Sequence, residues 1–378
     1  MKVYLDNGAT TMTDPEVVKA MLPYFTKRFG NASSLHSFGE EAKKALENSR
    51  KIVAKALNAM PSEIIFTSGG TESDNLAVKG IAFHNGKGHI ITSKIEHPAV
   101  LRSCKALESR GFEISYLDVD EEGFVNLEEL GSCISRETIL VSIMHANNEI
   151  GTIQEISEIG KLCCEKGIVF HTDAVQSFTK VPIDVERVKV DLISMSSHKI
   201  HGPKGVGALY IREGTKIEKL SDGGGHEFKL RAGTENVSGI VGFAKAVSLC
   251  NKSHIEHMRE LKDRLIERVL EEIPNTHLNG AMERRLCNNA NFAFEGVEGE
   301  AVLFHLNLKG IAASTGSACS SKDAKPSHVL EAIELKPELL SGSLRLTLSR
   351  FNTKEEIDYC VDVLKEVVQS LREMGDET

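Results

Sequence analysis

Ser194-Met195-Ser196-Ser197-His198-Lys199-Ile200-His201-Gly202-Pro203-Lys204-Gly205-Val206-Gly207 lies between two apolar runs, at 190–193 and 208–211. The runs read as buried strands. The turn between them carries two hydroxyls, a histidine and a lysine. A lysine on a short turn between buried strands has little freedom. Burial lowers its basicity, because desolvation disfavours the charged form. A neutral, fixed amine can attack a carbonyl and hold it as an imine. Taken alone, Lys199 reads as an ordinary surface lysine; its weight comes from residues elsewhere in the chain.

Outward from this stretch, apolar runs at 64–67, 89–92, 113–117, 139–144, 169–172 and 192–194 read as strands. Helical spacing lies between them at 99–110, 127–134 and 156–166, and earlier over 38–59, with a helix at 76–83. Asp14-Pro15 opens a helix with a capping Asp and a Pro at the first helical position. Such alternation predicts an α/β fold with a mostly parallel, doubly wound sheet, whose ligands bind at the carboxyl ends of the strands. Past 250 the pattern is mixed: helices near 254–272 and 300–308, strands near 291–294 and 311–314. A closing helix covers 353–374, with Thr353 and Glu356 as its capping box.

With 378 residues, the length prior is two domains. Hydrophobic residues make up 41% and charged residues 26%, which suits a globular protein with a substantial core. The formal net charge of -9 argues against direct nucleic-acid binding and against an anionic membrane surface. No apolar stretch is long enough to span a bilayer, and the first residues read as a strand rather than a signal peptide, so a cytoplasmic protein is expected. Eight cysteines are scattered without a CxxC pair. Seven fit small buried hydrophobes in a reducing compartment. Cys319 differs: Gly316, Ser317, Ala318, Ser320 and Ser321 surround it with small, mostly polar residues, as in an exposed loop where a thiolate can act.

The residues just past the strand ends are the most polar in the chain: Ser68 to Thr71, Glu96-His97, His145 to Glu149, Asp173 to Gln176 and Ser196 to Lys199. The Gly69-Gly70-Thr71 turn at a helix start leaves backbone N–H groups free for an anion. Asp173 can pair with a protonated ring nitrogen, and His97 can stack on a flat ring. Gly70, Thr71, Ser196 and His198 can hold a phosphate. A flat, phosphorylated aldehyde with a ring nitrogen describes pyridoxal 5′-phosphate. Singly, each residue reads more simply as a helix cap, a core histidine or a turn hydroxyl; their convergence on one sheet edge is the signal. His198 and His201, three apart, are a weak metal pattern, because a third ligand is not evident.

These motifs resemble the cysteine desulfurases of the NifS/IscS type, within the class V aminotransferases. The likeness is carried by Tyr4 to Thr11, Phe66-Thr67-Ser68-Gly69-Gly70-Thr71-Glu72-Ser73-Asp74-Asn75, Ser93 to His97, Met144 to Gly151 and His171-Thr172-Asp173-Ala174-Val175-Gln176. Ser197 to Gly205, Leu230-Arg231-Ala232-Gly233-Thr234 and Ser314-Thr315-Gly316-Ser317-Ala318-Cys319-Ser320 extend it to the final helix. The departures are small: Gly8 where Ala or Ser is usual, Gly70 where Ala is common, Ala32 after Asn31 where Pro is frequent.

The resemblance implies the fold type I of pyridoxal-phosphate transferases. Its large domain, 15–250, holds a mostly parallel seven-stranded sheet. Its smaller α+β domain, 1–14 with 251–378, carries a mobile cysteine loop at about 314–326. Lys199 would hold the cofactor, Asp173 its ring nitrogen, Gln176 its ring hydroxyl, and His97 its face. Gly70, Thr71, Ser196, Ser197 and His198 would bind the phosphate, with Thr234 reaching in from the second subunit of a homodimer. Asn148 would contact the cofactor and, with Arg345, orient substrate, with Asn31 a weaker candidate. Cys319 would attack the sulfur of L-cysteine and keep it as a persulfide, leaving L-alanine. The implied acceptors are an IscU-like iron–sulfur scaffold protein and tRNA-thiolation carriers, and on the scaffold Cys319 could share a transient [2Fe-2S] cluster. Alternatives are a selenocysteine lyase, a plain aminotransferase and, more distantly, a non-catalytic sulfur carrier.

Overall fold

The computed structural model describes residues 1–315 and 326–376, so Cys319 lies outside the described residues. Twelve strands occur among them: β1 Val3–Tyr4, β2 Ile64–Thr67, β3 His89–Ser93, β4 Glu113–Leu117, β5 Thr138–Ser142, β6 Val169–Asp173, β7 Leu192–Ser196, β8 Gly207–Ile211, β9 Thr276–Leu278, β10 Asn289–Phe294, β11 Ile311–Ala312 and β12 Ser343–Thr347. Seven form one sheet in the order β2-β8-β7-β6-β5-β3-β4. All pairings are parallel except those of β8, which runs antiparallel to both β2 and β7. Helices cover both faces of this sheet, which is why its central strands are apolar on both sides. Alternation sorts the side chains: Ile193, Met195, Ala208 and Tyr210 enter one core, while Leu192, Leu209 and Ile211 enter the other.

A separate core surrounds the three-stranded antiparallel sheet β12-β10-β9. Phe292, Phe294, Leu344 and Leu346 meet Leu261, Leu265, Ile357 and Leu364 from the helices Lys252–Glu272 and Lys354–Asp376. β1 joins this core, not the large sheet, because it pairs in parallel with β11. Among the described residues no helix is long and apolar enough to cross a membrane.

Asp14 caps the helix Pro15–Met21 through the Glu16 N–H. The closing capping box forms in both directions, Glu356 N–H to Thr353 Oγ1 at 3.3 Å and Thr353 N–H to Glu356 Oε2 at 3.1 Å. Several boundaries differ from expectation. The helix read at 76–83 spans Gly70–Asn85, since the polar stretch Thr71 to Asn75 is its first turn. The helix read to 59 ends at Ala56, and Asn58 turns the chain with φ 57°. The strand read at 311–314 is only Ile311–Ala312, followed by an isolated bridge between Ser314 and Arg345. Two short helices, His328–Ala332 and Pro337–Leu340, have too few residues to show periodicity. Of the seven cysteines expected to be buried, Cys104, Cys163, Cys287 and Cys360 are. Cys133 and Cys250 are half-buried, and Cys164 is exposed. Cys164 follows Cys163 on the same helix, and neighbouring helical positions cannot both face the core.

Candidate active site

Five strand ends converge on one cavity of about 550 Å³ between the large sheet and the second core. The turn after β2 brings Gly70 and Thr71 to it, and the segment after β3 brings His97. The turn after β5 brings Asn148, β6 brings Asp173 and Gln176, and β7 brings Ser196, His198 and Lys199. Arg345 reaches it from β12. Ser197, Asn31 and Thr234 do not line it. Ser197 is fully buried, Asn31 is exposed with its Oδ1 accepting from the Ser33 N–H at 2.9 Å, and Thr234 is exposed.

Lys199 sits in the single turn Ser197–Lys199 that ends β7. Its Nζ donates to the carbonyls of Gly8 at 2.5 Å and Ala9 at 2.9 Å. Burial, with the positive charges of Arg345 and Lys180, brings its pKa down to about 8. Asp173 ends β6, where it accepts one hydrogen bond, from the Val175 N–H at 2.8 Å. Burial raises its pKa, and so it does that of the neighbouring Asp74, whose oxygens have no hydrogen-bond partner among the described residues. Two buried carboxyls side by side with no cation bonded to them are costly. The cavity therefore favours a cation at Asp173.

His97 caps the helix Pro98–Glu108: its Nδ1 accepts from the Ala99 N–H at 3.1 Å. That bond puts the ring proton on Nε2. Burial first, then Lys199 and His328, pushes its pKa down to about 4, so the ring is neutral. Burial does the same to His198, also to about 4, and its Nδ1 lies 3.1 Å from Thr10 Oγ1. Gln176 donates to the Gly8 carbonyl at 2.9 Å. Ser196 Oγ is buried without a hydrogen-bond partner among the described residues. Beside it, a Cβ on Gly70 would come 2.7 Å from Val175 Cγ2, so glycine lets the helix N-terminus approach here without displacing that side chain. Arg345 donates to the Asn148 carbonyl at 3.0 Å and to Asp6 Oδ1 at 2.9 Å, while its buried Nε has no partner among the described residues.

His201 bonds the Met12 carbonyl at 2.9 Å, and no cluster of three or more His, Cys, Asp or Glu suited to a metal occurs among the described residues. Sequence reasoning assigned no role to Asp74, Glu149 or His328, which also line the cavity. Asp74 is one turn into a helix whose start was placed too late. His328 lies in a helix too short to read.

The class V aminotransferase family model matches residues 3–360. A cysteine desulfurase IscS of Methanosarcina thermophila is 56% identical over 378 residues, covering 99% of this chain and 93% of that protein. The chain belongs to the class V aminotransferases, in their cysteine desulfurase group. Among solved structures, a NifS-like protein superposes with a TM-score of 0.92 at 39% identity, covering 98% of this desulfurase and all (100%) of that chain. SspA in complex with cysteine gives 0.85 at 38% identity, covering 93% and 100%. The desulfurase likeness spans both cores and the cavity between them.

Proposed function

We propose that this cysteine desulfurase converts L-cysteine to L-alanine with pyridoxal 5′-phosphate and keeps the sulfur as a persulfide on Cys319. The observation that carries the reading is the cavity, where a depressed lysine, a buried carboxylate, a neutral histidine and an arginine face one space. Its unsatisfied groups fit the cofactor. Ser196 Oγ and the glycine-opened helix start suit the phosphate, and the buried Asp173 carboxylate suits a protonated ring nitrogen. When bound, the cofactor supplies an aldehyde for amines and a ring that withdraws electrons from the substrate α-carbon.

Lys199 would hold the cofactor through Nζ, and its free amine would accept the substrate α-proton there. A pKa near 8 lets it do both near neutral pH. Asp173 keeps the ring nitrogen protonated, and Gln176 meets the ring hydroxyl. His97 would meet the ring as a neutral Nε2–H donor. Gly70, Thr71, Ser196 and His198 would hold the phosphate. Asn148 and Arg345 would orient the substrate carboxylate. The Cys319 thiolate attacks the substrate sulfur. The S–S bond forms as the C–S bond breaks, with its electron pair going to carbon.

Two observations support a homodimer. Leu22, Phe25, Phe29, Leu35 and Phe38 are exposed within one short stretch, and Thr234 is exposed and does not line its own cavity. Thr234 then serves the second subunit's phosphate. We assign 15–250 to a large cofactor domain and 1–14 with 251–378 to a small one carrying the cysteine loop. The acceptors proposed are an IscU-like iron–sulfur scaffold and tRNA-thiolation carriers, with Cys319 as a shared ligand of a transient [2Fe-2S] cluster on the scaffold, in the cytoplasm. The test is Lys199→Ala. Alanine formation from L-cysteine should fall by about 10³-fold or more; unchanged turnover contradicts the reading.

A further inference from the structure

His328 stands three residues past the undescribed segment that holds Cys319, and it lines the cavity. Its place is firmly built. Ser327 caps the short helix His328–Ala332, accepting from the Val329 and Leu330 N–H groups, and donates to Glu149 Oε2 at 2.6 Å. Glu149 is itself fixed, its N–H donating to Asn147 Oδ1 at 2.8 Å while Asn147 holds the Ile95 carbonyl at 2.9 Å. The His328 ring then donates from Nε2 to the Glu96 carbonyl at 3.0 Å. A carbonyl only accepts, so Nε2 carries a hydrogen, and the neutral form of a ring bonded this way has its open lone pair on Nδ1. No described residue bonds that nitrogen. Next along from Glu96, His97 is arranged in the opposite sense. Its Nδ1 is taken by a backbone N–H, so its free side is a donor. Both residues line the cavity, and in their neutral forms the unbonded nitrogen of His97 is a donor and that of His328 an acceptor. The cations Lys199, Arg345 and Arg102 that share the cavity add donors only.

L-cysteine is set apart from other small amino acids by its thiol, a weak donor that is mostly protonated at neutral pH. Resting on the desulfurase reading, we infer that His328 is the specificity residue that receives the substrate thiol, its Nδ1 accepting the S–H and holding the sulfur in place. The step is a hydrogen bond, with no covalent change. It also sets a preference. A selenol is ionised at neutral pH and brings no hydrogen to an acceptor, so this pocket selects L-cysteine over L-selenocysteine.

Two measurements test this. In His328→Leu the KM for L-cysteine should rise about three- to ten-fold, the worth of one hydrogen bond, with KM for L-selenocysteine unchanged. His328→Gln, which restores an acceptor, should recover part of the loss. Equal losses on both substrates would mark a merely structural residue, and no loss on cysteine would remove the role; either overturns the inference. Separately, ¹⁵N-histidine-labelled holoenzyme carrying Cys319→Ser should show the His328 Nδ1 resonance moving on addition of L-cysteine and not of L-alanine. If wild-type holoenzyme forms no alanine from L-cysteine, the desulfurase reading itself fails. If it forms alanine but the resonance responds alike to both amino acids, the thiol assignment alone is overturned.

Discussion

Lys199 owes its chemistry to where its amine is held. Two backbone carbonyls hold Nζ, and burial with two nearby cations sets a pKa of about 8. The sign follows directly: only the neutral amine attacks an aldehyde, and its fraction grows as pH rises through that value. At pH 7 about a tenth of such an amine is neutral, against roughly one in three thousand for an ordinary lysine. The rate at which the cofactor-free protein captures pyridoxal phosphate should climb through pH 8 and level above it, as followed by absorbance. A rise centred on the usual lysine value, beyond pH 10, would contradict the assignment. Lys199, Asp173 and His97 were legible because each sits at a strand end among polar residues, where an apolar run stops abruptly. Arg345 was not legible from its surroundings. It alternates with Leu344 and Leu346 on a strand of the other core, and only the family likeness singled it out.

At the scale of elements, the chain segment around Glu227 is held by one buried pair. Arg50 on the helix Ser37–Ala56 donates to Glu227 Oε1 at 2.8 Å and Oε2 at 2.9 Å, and the same carboxylate accepts the Phe66 N–H of β2 at 2.7 Å. Glu227, Phe228 and Lys229 all adopt positive φ, at 41°, 54° and 68°. Each costs about 1–2 kcal/mol for a residue with a Cβ. The pair offsets that strain and fixes the start of the segment leading to Thr234. Glu227→Gln keeps an acceptor for Phe66 but leaves Arg50 with Glu47, at 3.4 Å, as its remaining carboxylate partner, so urea unfolding should show a loss of about 1–3 kcal/mol. A loss below about 1 kcal/mol would mean that the pair does not hold this segment. The parallel order of the large sheet could be read from alternation. The ends of its helices could not, because Gly70 to Asn75 is polar yet helical, and caps rather than apolar periodicity define such ends.

For the whole molecule, the site belongs to neither core alone. Lys199 and Asp173 come from the large sheet, and Arg345 from the second core, tied across to Asp6 and Asn148. In the proposed homodimer a second copy covers the face that carries exposed Phe29 and Leu35. Sedimentation should give twice the 41.4 kDa chain mass. Phe29→Asp with Leu35→Asp should halve it and weaken cofactor retention, since Thr234 would no longer reach a neighbouring cavity. A wild-type monomer that retains cofactor would contradict this arrangement. The central claim is that sulfur leaves L-cysteine onto Cys319. Its most direct test is a mass map of the holoenzyme after incubation with L-cysteine, with alanine assayed in parallel. The account predicts one added sulfur atom on the peptide containing Cys319, alanine in step with it, and neither in Cys319→Ser. A persulfide on another cysteine, or on none while alanine accumulates, would contradict it.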